Sequence, residues 1–594
     1  MKTNMILSAS GWRKVFAASG DEQDRNPEIT EQDWALSAAC ADVFFDYLKE
    51  LTGQECPVIA LGRDTRPTGK AISSAIAHTL VYRGAVVQDS GITSAPEIMA
   101  CAKKLDGFIY ISASHNPIGH NGIKFGINDG GVLEAKENAK LVEALNKLIE
   151  DDAKLDALVK AAKACSSSAL HEIELNEKSS KFNALRAYED FICQTITDST
   201  NKEHQKDFFE MLDGQIRAKG FGVVCDFNGS SRARCIDKEF FTSHGIDFYS
   251  LNEDEIAHEI IPEAENLVYV AQGMEDLHRH NKNCNAMLGY MPDCDGDRGN
   301  IVYWDQKAGK AVILKAQEVF SLSVLAELTY SIWKNGADPS FKPAVCVNCP
   351  TSMRIDEICK VLGAEVFRAE VGEANVVNLA REKREAGWNV RILGEGSNGG
   401  TITHPASVRD PLNTVFAIIK LLMMREDGLY EIWCKKAGIE YKADFTLTDV
   451  LASLPVYTTT GVSEPRAILK VKNTDHAALK AAFQKAFEAD WEKKKAELKK
   501  KYGIAAYEAV ITKGTVQTVG VSDWSESGKG GLKVIFKDKD AKPIAFIWMR
   551  GSGTEPVFRI MCDVKGDEPA AERSLLRWET SMIRRADEMD RGGR

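Results

Sequence analysis

Between Pro57 and Ser114 the chain alternates short apolar runs with helix-period segments: Val58-Ile59-Ala60-Leu61, Ala71 to Tyr82, Ala85-Val86-Val87, Pro96 to Lys103, and Phe108-Ile109-Tyr110-Ile111. Short strands separated by helical segments require crossover connections, so the alternation predicts a parallel α/β unit. In open sheets of this kind ligands collect outside the carboxyl ends of the strands. That rule directs attention to two polar loops, Gly62-Arg63-Asp64-Thr65-Arg66 and Ser112-Ala113-Ser114-His115-Asn116-Pro117.

The pattern returns after a charged helical stretch from Glu134 to about Gln215. A second unit opens on the strand Phe221 to Asp226 and runs to about Trp304. A third begins with the helix-period segment Val312 to Trp333 and continues through the strands Ala344 to Val347 and Val390 to Leu393. Beyond about Tyr441, strands mix with long helices such as Ala477 to Lys501 and end in Ile544 to Trp548, which reads as a smaller α+β domain. The expected fold is α/β: three similar mixed α/β domains at 1–205, 206–308 and 309–445, then an α+β domain at 446–594. A chain of 594 residues is long enough for that many cores. The recurrence is one of pattern and spacing, not of letters.

A formal net charge of −11 leaves no overall positive field for a nucleic-acid backbone or an anionic membrane, so neither is an expected partner. The basic run from Lys493 to Lys501 reads as a solvated helix face. The opening Met1 to Leu7 lacks the apolar core of a secretory signal. The apolar stretches Ala311 to Trp333 and Val415 to Met424 are interrupted by charges, and the second is too short to span a bilayer. With 14 scattered cysteines and no dense disulfide spacing, a reducing, cytoplasmic location is expected. Cys346-Val347-Asn348-Cys349 matches C-x-x-C, yet no second pair stands at zinc-ribbon spacing.

Four motifs carry chemistry. The first is Ser112-Ala113-Ser114-His115-Asn116-Pro117 with Asn121-Gly122-Ile123-Lys124, which presents a hydroxyl at a strand terminus. Taken alone it also reads as a polar turn whose side chains satisfy local backbone groups. A serine-hydrolase reading fails because Ser114, Ser397 and Ser552 all lie outside G-x-S-x-G. The second is Asp293-Cys294-Asp295-Gly296-Asp297-Arg298: alternate carboxylates around a glycine can converge on one hard cation of the magnesium type. An EF-hand is excluded by the apolar Ile301 to Trp304 and the missing glutamate at the twelfth position.

The third is Gly394-Glu395-Gly396-Ser397-Asn398-Gly399-Gly400, where glycines allow close approach and Glu395 and Ser397 can bond sugar hydroxyls. By itself it reads equally as a plain turn. The fourth, Arg550-Gly551-Ser552-Gly553-Thr554-Glu555-Pro556-Val557-Phe558-Arg559, combines backbone N–H groups, hydroxyls and guanidinium forks suited to phosphate oxygens. Without the other motifs it is also consistent with a hairpin bearing surface arginines.

Taken together and in this order, the four motifs resemble the α-D-phosphohexomutase superfamily, which includes phosphoglucomutase, phosphomannomutase and phosphoglucosamine mutase. Ser10-Gly11-Trp12-Arg13, Gly62 to Arg66 and Pro262 to Leu267 resemble further family segments. The resemblance implies four domains around a central cleft and an enzyme, an intramolecular phosphotransferase that interconverts hexose 1-phosphate and hexose 6-phosphate through a phosphoserine and a hexose 1,6-bisphosphate. It implies that Ser114 is the phosphoserine and that Asp293, Asp295 and Asp297 bind Mg²⁺ together with an oxygen on Ser114. Arg13, Lys124, Arg298 and His115 would surround the reacting group. Lys124 is the candidate general base if neighbouring Arg13 and Arg298 depress its pKa. Glu395, Ser397 and Arg409 would hold the sugar, and Arg550, Ser552, Gly553, Thr554 and Arg559 the non-reacting phosphate. Glucose 1,6-bisphosphate is implied as activator, small sugar phosphates as partners, and a monomer or small homo-oligomer as the assembly.

Departures from the family bear on specificity. Gly399 stands where many relatives carry histidine, and Arg409-Asp410 resembles a Lys-Asp pair of phosphoglucomutases, so Arg409 is expected to replace the missing charge. Thr93-Ser94-Ala95-Pro96 departs from the usual Thr-Pro, while Ser112-Ala113-Ser114 resembles the phosphoglucosamine mutase form. Chain length favours glucose and mannose phosphates, with phosphoglucosamine as the alternative. A non-catalytic sugar-phosphate binding protein is the reading from a different class.

Overall fold

The computed structural model describes residues 4–260, 267–281, 283–425, 427–551 and 557–589. Four sheets form among the described residues. The first uses β1 (Ile6–Ser8), β2 (Gly11–Val15), β3 (Val58–Arg63), β4 (Val86–Ile92), β5 (Gly107–Ile111) and β6 (His120–Ile127), in the order β1-β2-β6-β5-β3-β4. β3 pairs in parallel with β4 and β5 through the helices Gly69–Arg83 and Ala95–Ala102, as the alternation predicts. β6 instead returns antiparallel to β5. The loop joining them is too short for a crossover, and that loop is the Ser114 segment.

The second sheet contains β7 (Gly222–Asp226), β8 (Asp247–Leu251), β9 (Ala286–Met291), β10 (Asn300–Asp305) and β11 (Lys310–Ile313), ordered β11-β10-β9-β7-β8. Val312 and Ile313 therefore lie on a strand, and the helix expected from Val312 spans Ala316–Asn335. The division expected after residue 308 falls inside the β10–β11 hairpin. The third sheet has β12 (Pro343–Asn348), β13 (Glu365–Ala369), β14 (Asn389–Glu395) and β15 (Gly400–Thr403), ordered β13-β12-β14-β15. The fourth comprises β16 (Tyr457–Thr459), β17 (Ile468–Lys470), β18 (Ala506–Lys513), β19 (Val516–Val519), β20 (Gly531–Lys537), β21 (Pro543–Gly551) and β22 (Val557–Lys565). Its path is β16-β22-β21-β20-β18-β19, with β17 also paired to β22.

Contacts group the chain into two compact units, Met1–Leu314 with Ile402–Met424, and Lys315–Thr401 with Arg425–Arg594. In the first unit Trp12, Phe44 and Phe125 are buried at the centre of the first sheet's core, with Trp12 and Phe44 at 4.8 and 5.0 Å from the Phe125 ring. Truncating one such aromatic to alanine costs about 3–5 kcal/mol. The helix Glu31–Thr52 that covers this core starts on Thr30, whose hydroxyl accepts from Asp33 N, and stops at Gly53 in the left-handed region. In the second unit, the helices His476–Tyr502 and Pro569–Met589 pack Phe483, Phe487, Trp491 and Trp578 against the fourth sheet. Among the described residues no helix is long and apolar enough to cross a membrane.

Candidate active site

Within the first unit the Ser114 loop meets the aspartate loop at the carboxyl ends of β5 and β9. Ser114 is a non-glycine residue at φ 54°, in the sparsely populated left-handed region, so neighbouring bonds must hold it there. Its N–H donates to Ser112 Oγ at 2.8 Å. Arg66 donates to the carbonyls of Ser114 at 2.7 Å and His120 at 3.0 Å and also reaches those of Asn116 and Pro117. Asp64 holds the Arg66 guanidinium from behind at 3.3 Å, with both side chains fully buried. The loop Gly62 to Arg66 thus acts as the clip of the serine loop.

Ser114 Oγ donates to Asp293 Oδ2 at 2.8 Å. Asp293, Asp295 and Asp297 are all buried and offer ligand oxygens within 4.8 Å of one another. Each keeps one buried oxygen, Oδ1, without a hydrogen-bond partner. Converging carboxylate oxygens left unsatisfied in a buried pocket fit a hard divalent cation. Cationic side chains crowd the remaining oxygens: Lys124 Nζ donates to Asp295 Oδ2 at 2.6 Å, Arg409 Nη2 to Asp297 Oδ2 at 2.7 Å, and Arg298 Nε stands 3.6 Å from Asp293 Oδ2. Burial and the charges of Asp295 and Asp297 push the Asp293 carboxyl up to about 8. Burial acts the same way on Asp295, but the adjacent Lys124 ammonium outweighs it and holds that carboxyl below its ordinary range.

β2 and β6 bring in Arg13 and Lys124. Trp12 pairs with Ile123 across the two strands, which sets Gly11 against Lys124. Gly11 has φ 129°, and a Cβ there would fall 3.1 Å from Lys124 Cγ and 3.6 Å from Arg13 Nε. Its missing side chain is the space both long chains use. Burial, and then the Arg298 charge, lower the Arg13 guanidinium, which Asp295 and Asp297 partly restore.

His115 accepts from Arg298 Nη2 through Nδ1 at 2.9 Å. Burial and the guanidinium groups of Arg298 and Arg13 push its imidazole down to about 2, so the ring is neutral. Its Nδ1 lies 3.4 Å from Ser114 Oγ. The serine proton points at Asp293, and the Lys124 amine faces Asp295, so neither His115 nor Lys124 stands as the acceptor of that proton in this arrangement.

In the second unit, Glu395 at the end of β14 and Ser397 are gathered by one side chain. Asn348 Nδ2 donates to Glu395 Oε1 at 3.0 Å and to Ser397 Oγ at 3.1 Å. Glu395 Oε1 also accepts from Gly372 N at 2.8 Å, and Oε2 from Asn398 Nδ2 at 3.2 Å. Arg550 on β21 and Arg559 on β22 are directly opposed across the ladder. Glu370 lies 3.2 Å from Arg550 Nε, while exposed Arg559 donates to the Val462 carbonyl at 3.1 Å. Like charges directly opposed on a sheet repel, and an anion relieves the repulsion. Ser552, Gly553 and Thr554 lie outside the described residues.

Known proteins resemble this chain in sequence and in fold. Residues 10–152 match the family description phosphoglucomutase/phosphomannomutase, alpha/beta/alpha domain I, and residues 323–436 match domain III of the same family. A phosphoglucomutase/phosphomannomutase of Thermococcus kodakarensis is 26% identical over 563 residues, covering 94% of this chain and 96% of its own. A phosphoglucosamine mutase of Methanococcus aeolicus is 27% identical over 383 residues, covering 63% of this chain and 72% of its own. The solved open form of parafusin, a phosphoglucomutase from Paramecium, superposes with a TM-score of 0.61 at 18% identity, covering 98% of this chain and 95% of that one. The chain belongs to the α-D-phosphohexomutase superfamily. Its members are isomerases of the intramolecular phosphotransferase type, so this chain is an enzyme of that class.

Seen as a phosphohexomutase, the chain carries supporting residues that its motifs do not announce. Fully buried Arg232 binds Asp237 at 2.8 Å and lies 3.5 Å from Asp410, and it donates to Tyr188 Oη at 2.9 Å. Tyr188 Oη in turn donates to Asp410 Oδ2 at 2.7 Å, and Tyr290 Oη to Asp237 at 2.6 Å. Asp410 caps the helix Pro411–Met423 by accepting from Leu412 N, which places the preceding Arg409 on Asp297. Arg409 was expected at the sugar; the structure sets it on the aspartate loop. Arg232 directly follows the polar run Asn228 to Ser231 that comes after β7, and that strand-end position is the one sequence signal that could have singled it out.

Proposed function

We propose that this phosphohexomutase interconverts the 1- and 6-phosphates of glucose and mannose through a phosphorylated Ser114 and a hexose 1,6-bisphosphate. The observation carrying the reading is the approach of Ser114 Oγ to a carboxylate loop whose three aspartates each leave a buried oxygen unpartnered. Asp293, Asp295 and Asp297 would hold Mg²⁺, which supplies positive charge to the phosphoryl oxygens when bound.

Phosphoryl transfer needs charge stabilisation and alignment more than covalent assistance. Arg13, Lys124 and Arg298 provide fixed positive charge around Ser114, and the clipped loop fixes the direction of Oγ. Neutral His115 orients the Arg298 fork. The phosphate on Ser114 passes to the free hydroxyl of a sugar monophosphate. The bisphosphate then turns round and returns its other phosphate to Ser114, so no net phosphate is gained or lost. Glu395 and Ser397, preset by Asn348, would receive the sugar hydroxyls, and Arg550 and Arg559 the phosphate at rest. In this scheme glucose 1,6-bisphosphate serves as activator because it rephosphorylates Ser114. A cytoplasmic location belongs to the same proposal and is supported by the cysteines, all of which are free thiols.

The test is turnover of glucose 1-phosphate with Mg²⁺ and a trace of glucose 1,6-bisphosphate. Glucose 6-phosphate formation that disappears in Ser114→Ala is the expected result. Product no higher than in that variant would make the chain a binding protein, and phosphate release exceeding isomerisation would make it a phosphatase. A second reading, phosphoglucosamine mutase, is favoured by the Ser112-Ala113-Ser114 form and by the name of the Methanococcus relative. The relative that spans both chains almost completely carries the phosphoglucomutase/phosphomannomutase name, which is why glucose and mannose come first. Turnover measured side by side on the three sugar phosphates separates the readings.

A further inference from the structure

The helix Pro569–Met589 turns an arginine-rich face toward an open cavity of about 680 Å³ that is also lined by Pro465, Ile468 and Leu469. Arg573, Arg577 and Arg584 line it together with the hydroxyls of Thr580 and Ser581. At 100° per residue these five positions share one face of the helix, with Arg573 and Arg577 about 6 Å apart along the axis and Arg584 about 10 Å further. All three arginines are exposed, and none has an ion-pair or hydrogen-bond partner among the described residues.

The other cations at the rim are already satisfied. Arg466 donates to Glu572 at 2.8 Å and also pairs with Glu464, and Arg585 pairs with Asp490. Among the described residues that line it, the only carboxylate is Glu588, at the far end of the helix face. Like charges at i and i+4 on a helix repel, and among the described residues no acidic side chain pairs with Arg573 or Arg577. Their concentration is also local, in a chain of net charge −11.

We propose that this cavity is a second ligand site, distinct from the Ser114 centre, for an organic polyphosphate of nucleotide size. Free guanidinium forks bind phosphate oxygens in pairs, and Thr580 and Ser581 add hydroxyl donors. Pro465, Ile468, Leu469 and Leu576 give the cavity an apolar wall for a ring or sugar face. The volume lies within the range of small-molecule sites, and a concave pocket of that size suits a compact ligand better than a folded partner. Ile468 pairs with Arg559 across β17 and β22, so the cavity adjoins the strand carrying the proposed phosphate-holding arginine and must be distinguished from it by experiment.

The test is calorimetric titration of the full chain with ATP and UTP in magnesium-free buffer, with inorganic tripolyphosphate and adenosine as partial probes. One saturable nucleotide site is expected, weakened at least tenfold in Arg573→Gln/Arg577→Gln and unchanged in Arg559→Ala. Tripolyphosphate should bind more weakly than ATP, and adenosine hardly at all. The replaced arginines are exposed, so the double variant should keep the wild-type melting temperature and mutase turnover. Arg584→Gln alone provides a second variant, with a smaller loss. No nucleotide binding would overturn the proposal. So would binding that survives the double variant or is lost in Arg559→Ala, tripolyphosphate binding as tight as ATP, or a polyglutamate peptide that outcompetes ATP.

Discussion

Arg232 is seated directly beneath Gly296, where a Cβ would fall 2.5 Å from both its Cγ and its Cδ. Gly296 is the turn of the aspartate loop, at φ 71°, closed by its own N–H donating to the Asp293 carbonyl at 3.0 Å. Backbone conformation and close approach both call for glycine here. Gly296→Ala should cost about 1–3 kcal/mol from the left-handed conformation and the displaced arginine. It should also raise the Mg²⁺ concentration needed for half-maximal turnover. Wild-type metal dependence in a correctly folded variant would show that the loop tolerates the shift.

Arg232 itself ties together elements far apart in the chain. Removing one partner from a buried ion pair leaves the others charged and unpaired, at about 3–5 kcal/mol. Arg232→Met should therefore lower the unfolding midpoint of the first unit and loosen both Asp410 and the aspartate loop. Arg232→Lys should recover little, because a single ammonium cannot contact Asp237, Tyr188 and Asp410 as the fork does. Full recovery of stability and metal dependence by lysine would reduce the role of Arg232 to charge alone.

Asp295 accepts from Lys124 and faces the other two carboxylates. Asp295→Asn keeps the shape and removes one charge, so the fold should survive while turnover falls about 10²-fold and its Mg²⁺ dependence weakens. Steady-state rates across a magnesium titration check this. Unchanged turnover at limiting Mg²⁺ would remove Asp295 from the metal set.

The strand-end loops were legible in the sequence because their chemistry is local: Ser114 with its neighbours, and three aspartates at alternate positions after an apolar strand. What supports them was not. Arg232 meets Gly296, Asp410 meets Tyr188 and Asn348 meets Glu395 only through the folded sheets, and no spacing rule links such pairs. Val312 and Ile313, the last two residues of the strand Lys310–Ile313, read as the start of the following helix because a short apolar run has no decisive period. The turn at Gly309, with φ 64°, marks the break. The antiparallel return of β6 has no signature in the spacing of apolar residues, and the shortness of the Ser114 loop between β5 and β6 is its one clue.

Arg559 is exposed and sits opposite Arg550 on the neighbouring strand. If both hold the phosphate at rest, Arg559→Ala should raise KM about tenfold while changing kcat less, since the contact is made in ground and transition states alike. Stability should stay within about 0.5 kcal/mol, as expected for a surface position. An unaltered KM would take Arg559 out of the phosphate contact.

Glu579 lies on the core side of the helix Pro569–Met589, fully buried, with neither carboxyl oxygen hydrogen-bonded to any described residue. Burial alone raises its pKa well above the ordinary value, so the folded chain keeps the proton at neutral pH. The unfolded chain loses that proton near pH 4.5, the ordinary value. From there up to the raised folded-state pKa, the folded state binds more protons. Stability must then fall with rising pH by about 1.4 kcal/mol per unit from this group. Glu579→Gln carries no titrating proton and should lack this slope. Urea midpoints at pH 5, 6 and 7 should therefore show the wild type losing ground steadily to the variant. Parallel profiles for the two proteins would mean that Glu579 is ionised in the fold and has found a cationic partner.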